Sequence, residues 1–252
     1  MKGKLKLSKT GFLLLITIVM FIIMYAIGMV VFFDKGFARP QMFLNLFISN
    51  AGLLVIACGL TIVMITGGID ISVGSVTALV CMCAADMMEN KGASAYQALF
   101  FSLFIGVLFG VVQGYLISYL RIQPFIITLA GLFFGRGMTA IVSTDMIAIK
   151  NETFLKWANA KIFLPFGYYN RHGVLVNAYI YPTVIIALIV ILVISIILRF
   201  TKFGRALYAI GGNEQSAVMM GLNVKATKMK AYVLDGFLAG LGGFLFCLNS
   251  CA

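Results

Sequence analysis

The chain is 252 residues long, 62% apolar and 11% charged, with a mean hydropathy of +1.06 and a formal net charge of +11. That balance excludes a water-soluble domain built around one core and places the chain in a lipid bilayer. Nineteen Lys and Arg against eight Asp and Glu do not signal nucleic acid, because the basic residues lie between long apolar runs, where they set topology, and are not interleaved with stacking aromatics.

Lys2, Lys4, Lys6 and Lys9 precede an apolar run over residues 11–33. A secretory signal has a similar start, but its apolar region is only about 7–15 residues long and ends at a small-residue cleavage site. This run is longer and ends in Val30-Val31-Phe32-Phe33-Asp34, so it predicts a retained first span with the amino terminus inside. After a short loop with Asp34, Lys35, Arg39 and Pro40, apolar residues return over 43–66 and again over 71–85. Between them stands Thr66-Gly67-Gly68-Ile69-Asp70-Ile71-Ser72-Val73-Gly74-Ser75. In hydrocarbon the aspartate alone costs about 2.5–3.5 kcal/mol on insertion scales, and opened backbone needs partners as well. Such a break faces a water-filled path, is buried against other spans, or turns at the membrane surface. Each option belongs to a polytopic protein with a broken or re-entrant helix pair near Asp70.

Asp86, Glu89, Asn90 and Lys91 mark water again, and further spans are predicted at 95–119, 124–143, 181–198 and 231–249, each near the roughly 20 residues a helix needs to cross. Arg121-Ile122-Gln123-Pro124 makes a tight turn, since proline suits the first helical turn and disfavours helix just before it. Residues 144–180 mix Asp145, Lys150, Glu152, Lys156, Lys161 and Arg171 with Trp157, Tyr168, Tyr169, Tyr179 and Tyr181, the composition of a segment lying at headgroup level. Gly106, Gly110 and Gly114, like Gly236 and Gly240, fall four apart and let helices approach closely. Cys58, Cys81, Cys83, Cys247 and Cys251 sit in apolar runs and read as small packing groups. With His172 the only histidine, neither a metal site, a cofactor nor a catalytic constellation is expected, and an intramembrane enzyme has no chemistry to stand on.

Charge fixes the parity. If residues 43–85 cross twice, or re-enter and return, then residues 1–10, 120–123 and 199–230 lie inside and hold eleven basic residues, against seven outside diluted by five acids. One long kinked span would put six basic residues of 199–230 outside, against the positive-inside bias. The 199–230 loop has its own grammar: Gly211-Gly212 reads as a break, Asn213 as a helix N-cap, Glu214 as an anion at the positive end of a helix, and Gly221 as a left-handed terminator. These predict a two-turn helix over about 214–220, whose Ala217, Val218, Met219 and Met220 either offer a partner something to grip or rest on lipid.

The break at 66–75, the stretch Pro124-Phe-Ile-Ile-Thr-Leu-Ala-Gly-Leu-Phe-Phe-Gly-Arg-Gly137, and Phe203-Gly-Arg-Ala-Leu-Tyr-Ala-Ile-Gly-Gly-Asn-Glu-Gln-Ser-Ala217 with Gly221-Leu-Asn-Val224 resemble, in the same order over nearly the whole chain, the permease subunits of bacterial ABC importers of the ribose, xylose and galactofuranose type. The resemblance implies an all-α, polytopic transmembrane bundle in the bacterial cytoplasmic membrane. It also implies a second permease subunit, homo- or heterodimeric, two cytoplasmic ATPase subunits, and an extracytoplasmic sugar-binding protein. The helix of Asn213, Glu214, Ala217, Met220 and Gly221 matches the loop by which such permeases dock on their ATPases. Members of the family continue through further apolar spans, so this chain reads as a single permease domain over 1–252, with a cytoplasmic coupling loop at 199–230 and C-terminal spans missing.

Nothing resembles G-x-x-x-x-G-K-[ST], so ATP hydrolysis falls to a separate subunit. The expected substrate pathway draws on Asp70, Ser72, Ser75, Asn50, Gln113 and Thr128. Asp70 either meets sugar hydroxyls or caps the helix that follows it. Arg136, in the middle of an apolar span, pairs with Asp70 or Asp235 or reaches for a surface. The rival expectation is an ion- or proton-coupled secondary transporter that uses Asp70 and Asp235 as carriers.

Overall fold

The computed structural model describes residues 9–33, 37, 39–169 and 175–250. His172, Arg171, Cys251, Asp34, Lys35 and the first three lysines lie outside them. Packing divides the chain into two compact units, residues 1–46 with 163–179 and residues 47–162 with 180–252, a subdivision absent from the expectation of one domain over 1–252.

In the smaller unit, α1 (Lys9–Val31) precedes the first turns of α2 (Pro40–Ile65). Tyr25 packs its ring against Phe37 at 5.4 Å and Phe43 at 5.8 Å, closing the turn between the two helices. The same unit carries the one addition to an all-helical expectation: β1 (Ile162–Tyr169) and β2 (Leu175–Ile180) pair as a two-stranded sheet. Aromatic and β-branched residues favour a pleated strand here, and Pro165 is tolerated because each strand has a free edge. Gln41 ties the sheet to α2 by donating to the Tyr179 carbonyl at 3.1 Å and accepting from its N–H at 2.9 Å.

The larger unit holds the rest of α2, then α3 (Val73–Glu89), α4 (Ala95–Ser118), α5 (Pro124–Val142), α6 (Glu152–Asn159), α7 (Pro182–Phe200), α8 (Lys202–Gly212), α9 (Glu214–Met219) and α10 (Val224–Ser250). Six of the helices described are long and apolar enough to span a bilayer. At 17 residues α3 is about 25 Å long, short of the roughly 30 Å of hydrocarbon by about one turn.

The centre of this unit is α10, whose Asp235, Gly236, Ala239, Gly240 and Gly243 are all buried. Along α2 its neighbours run in reverse order, Ile48 beside Asn249, Gly52 beside Gly242 and Gly59 beside Asp235, so the two helices are antiparallel. Against α4 the order is reversed too: Gly106 meets Gly236 and Gly240, and Gly110 meets Tyr232. Along α3 the order is direct, and Gly131 and Gly135 of α5 match Ser72 and Ser75 of α3 in direct order as well. Hence α2 and α4 run one way while α3, α5 and α10 run the other. Residues 43–85 form a helical hairpin, and the break at its tip shares an end with the α4–α5 turn and with α8 and α9. That end carries Arg121, Arg199, Lys202, Arg205, Lys225, Lys228 and Lys230. At the opposite end α6 folds back on the bundle, with Phe154 buried edge-on against Phe244 and Trp157 edge-on to Tyr96.

The residues between 199 and 230 are more helical than their glycines suggest. Gly211 and Gly212 do not break the chain but close α8, whose apolar face buries Leu207 and Ile210. A side chain at Gly211 would collide with the Ile65 carbonyl that ends α2, so the glycine serves close approach. The helix expected at 214–220 is present as α9, with Asn213 Oδ1 accepting the Ser216 N–H at 2.8 Å and Gly221 at φ 78°.

Candidate functional site

Asp70 does not cap α3 directly. Ser72 occupies the N-cap position, and Asp70, two residues earlier, folds its carboxylate over the turn. Its Oδ1 accepts the Ser72 N–H at 2.7 Å and the Ser72 hydroxyl at 2.6 Å, the local bonding an aspartate offers just ahead of a helix. Gln113 of α4 then donates its side-chain N–H to Ser72 Oγ at 2.8 Å. Ser75 Oγ donates to the Ser72 carbonyl at 2.7 Å. Ser72, Ser75 and Gln113 are 1%, 2% and 4% exposed, so the three hydroxyl and amide groups are consumed within the chain. The break is knitted to α4 by side chains and to α5 by glycines: a Cβ at Gly131 would strike the Gln113 amide, and one at Gly135 would sit 2.6 Å from Ser75 Oγ.

On the other side stands α10. Tyr232 donates its hydroxyl to the Ile69 carbonyl at 3.3 Å, and a Cβ at Gly68 would lie 2.7 Å from that hydroxyl. Asp235 is fully buried, and neither of its oxygens receives a donor. Its carboxyl lies near that of Asp70, and two carboxyl groups bond to each other only when one of them carries a proton. Gly59 supplies the space, since a side chain there would collide with Asp235 Oδ1.

Four of the six residues expected to line a pathway therefore meet in one network: Asp70, Ser72, Ser75 and Gln113. The other two do not join it. Thr128 is buried and returns its hydroxyl to the Pro124 carbonyl at 2.9 Å, while Asn50 is exposed on α2. Arg136 is exposed and forms no ion pair among the described residues, so of the alternatives left open for it the pairing with Asp70 or Asp235 is not made and its side chain lies at a surface. Sequence reasoning passed over Tyr232, Gly59, Gly131 and Gly135. The four-residue spacing of Gly131 and Gly135 matched the spacing read at Gly106 and Gly110 and was the available signal.

At the basic end, α9 divides its apolar residues. Ala217 is fully buried with Ile210 and Val224 of its own chain, which corrects its placement on a face for a partner. Val218, Met219 and Met220 are 57%, 81% and 66% exposed. Lys228 pairs with Glu214 at 2.6 Å and ties α9 to the start of α10. Among the described residues no group of histidine, cysteine and acidic side chains could hold a metal ion.

Membrane-spanning helices packed through glycine, a polar break in their midst and a short amphipathic helix at the basic end define an integral membrane transport subunit, not an enzyme. The chain belongs to the family described as branched-chain amino acid transport system / permease component, which matches residues 42–250. It is 33% identical to the fructose import permease protein FruG of Bifidobacterium longum (strain NCC 2705), over 98% of this chain and 73% of that one. It is 37% identical to the inner membrane ABC transporter permease protein YjfF of Escherichia coli (strain K12), over 93% of this chain and 67% of that one. With the galactofuranose transporter permease protein YtfT of the same strain it shares 32% identity over 77% of this chain and 53% of that one. No solved structure matches significantly.

Proposed function

We propose that this chain is a permease subunit of an ATP-driven importer that moves a monosaccharide across the bacterial cytoplasmic membrane by alternating access. Its relatives include permeases named for fructose and galactofuranose, which supports a sugar as cargo. The seven basic residues gathered at one end favour that end as cytoplasmic and, by parity, an inner amino terminus. Partners in this reading are a second permease subunit, two ATPase subunits at the basic end, and a sugar-binding protein at the other end.

The observation that carries the proposal is α9, a capped two-turn helix projecting three apolar side chains into water beside a basic bundle end. Val218, Met219 and Met220 fit an apolar groove on a partner, and Asn213, Glu214 and Gly221 hold the helix in shape from its two ends. ATP-driven closure of the ATPase pair would move α9. Through α8 it would also move the end of α2, where Gly211 lies against Ile65. The 199–230 loop is thereby the coupling element of one permease domain. Asp70, Ser72, Ser75 and Gln113 shape the hinge of the pathway and leave the sugar hydroxyls to other groups; Asn50, on an exposed face of α2, is the pathway candidate that remains accessible.

Met219→Glu in the permease coexpressed with its ATPase and binding protein tests this. Because Met219 is exposed, the substitution leaves the bundle intact, yet it places a carboxylate where an interface core excludes charge. The expected result is normal membrane insertion with loss of ATPase copurification. An ATPase that copurifies at wild-type stoichiometry would refute the docking role. The donorless Asp235 beside Asp70 is the one observation favouring an ion-coupled carrier, and that reading requires transport to collapse under an uncoupler while ATP is maintained.

A further inference from the structure

A cleft of about 830 Å³ opens at the basic end between the α4–α5 turn and the α9–α10 turn. Arg121, Lys225 and Lys228 line it with a single acid, Glu214, which is already paired with Lys228. Among the described residues neither Arg121 nor Lys225 has an acidic partner. The amino-terminal ends of α5 and α10 both face the cleft through Pro124 and Val224, and each adds the positive end of a long helix. Ser118, 4% exposed, lines it with a hydroxyl that has no hydrogen-bond partner. A buried orphan hydroxyl in a cationic recess has an unmet demand, and an anionic oxygen satisfies it.

The backbone shows an independent cost at the same place. Arg121 has φ 57°, in the left-handed region, and closes α4 with the Ile122 N–H donating to the Leu116 carbonyl at 3.3 Å. Helices commonly fill this terminating position with glycine. An arginine there is strained, and strain of this kind is retained where the side chain does something glycine cannot.

The surroundings identify the anion's carrier. Immediately beside the cleft, Tyr115 and Tyr119 stack at 5.5 Å on an exposed face, and Leu120, Phe125 and Ile126 are each more than half exposed. Interfacial tyrosines above an apolar band mark the headgroup level of a bilayer. Ile122, Val218 and Leu222 give the cleft an apolar wall as well. A basic pocket between spans at the cytoplasmic surface is the arrangement that takes an anionic lipid headgroup.

We propose that this cleft binds the phosphate of one anionic phospholipid from the adjoining leaflet, with Arg121, Lys225 and the Ser118 hydroxyl as its ligands. Because α9 forms one wall, the bound lipid anchors this short helix against the bundle. The site is independent of which substrate is carried; it shares Val218 of α9 with the proposed ATPase-docking face, while its anion ligands Arg121, Ser118 and Lys225 lie outside α9.

The test uses the purified full chain in nanodiscs of phosphatidylcholine containing a minor fraction of phosphatidylglycerol, with lipid retention read by native mass spectrometry. Wild type should retain one phosphatidylglycerol per chain. Each basic residue near an anionic headgroup contributes about fivefold in affinity, so Arg121→Gln with Lys225→Gln should weaken retention by about 25-fold. Arg121→Gly separates fold from binding: it should hold or raise the melting temperature in pure phosphatidylcholine, because glycine suits the backbone there, while lowering retention about fivefold. Equal retention by wild type and the double variant would overturn the proposal. So would binding of inorganic phosphate in pure phosphatidylcholine without retention of phosphatidylglycerol, because the cleft would then serve a free anion.

Discussion

The seam between α4 and α10 makes the most quantitative demand on the fold. A Cβ built at Gly106 would overlap the Gly236 carbonyl and lie 2.8 Å from Gly240 N and 2.9 Å from Gly240 Cα; at Gly110 it would meet the Tyr232 carbonyl and lie 2.9 Å from Val233 Cα. Every obstructing atom is backbone, so no side-chain rotation relieves the clash and the helices must part. Ordinary non-bonded contact begins a little below about 3.5 Å, and the tightest obstacle in each case is a carbonyl oxygen, so Gly106→Ala or Gly110→Ala must open the seam by about one ångström. Overpacking of that kind costs about 1–3 kcal/mol, and the gap forfeits a quarter to a half of each dispersion contact it crosses. For a chain of this size each kcal/mol shifts the melting temperature by roughly 2–4 °C, so each variant should melt about 2–12 °C lower in detergent.

Gly137→Ala is the internal control. It lies in α5 with nothing within 4 Å of its Cβ, and replacing a helical glycine by alanine stabilises by about 0.5–1 kcal/mol where space allows. Thermal melts of the three variants followed by helix content would decide the matter. Melting of Gly106→Ala and Gly110→Ala at or above the wild-type temperature would mean that α10 is not seated as described, and the placement of Asp235 beside Asp70 would fall with it.

The remaining expectations concern the break and the topology. Asp235→Asn should keep both fold and transport, because an amide supplies a donor toward Asp70, whereas Asp235→Leu removes the carboxyl group that faces Asp70 from α10, leaves Asp70 bonded to Ser72 alone, and should impair transport; equal activity of the two variants would remove this contact from the mechanism. Asp70→Asn should reach the membrane in normal amount yet transport poorly, since a neutral acceptor grips the Ser72 N–H and hydroxyl less firmly; normal transport would exclude a role for its charge. For sidedness, Met219→Cys should react with an impermeant thiol reagent only from the inner face and Ala158→Cys from the outer face, in a background lacking native cysteines, and reversed labelling would invert the proposed orientation.

What the sequence revealed, and what it hid, follows from the range of the interactions involved. The spans, the hairpin at Asp70 and the ends of α9 were legible because each rests on neighbours in sequence: apolar runs, a glycine pair, an asparagine cap and a left-handed glycine. Charge counting excluded a single long span over 43–85, and the antiparallel order of α2 and the direct order of α3 along α10 report the same hairpin from packing. Asp235 was visible as an intramembrane acid, but nothing local reveals that Gly59 of α2 and Asp70 of the break are its neighbours. Ala217 misled for the same reason. A short helix offers apolar residues on several sides, and only the position of Ile210 and Val224 determines which of them is turned inward. The strands at 162–169 and 175–180 were missed because their aromatic residues also suit a headgroup-level segment.

A mechanical consequence follows from the placement of the glycines. Gly211 at the end of α8 lies against the carbonyl of Ile65, the last residue of α2, and the next residues in the chain are Thr66, Gly67 and Gly68. Gly67 has φ 77°, in the left-handed region that favours glycine, and its N–H donates to the Met64 carbonyl at 3.0 Å; beyond it the Asp70 carboxylate accepts from Ser72, with Asp235 nearby on α10. In the proposed mechanism a displacement of α9 and α8 arrives first at this Gly67-Gly68 turn. Past that point it would meet the bonds that join Asp70, Ser72 and Gln113 and the bond from Tyr232 to the Ile69 carbonyl. Under the proposed mechanism, breaking those bonds together would turn a rigid-body push into a switch between states. That is the mechanical property alternating access requires of an element near the inner end of a pathway.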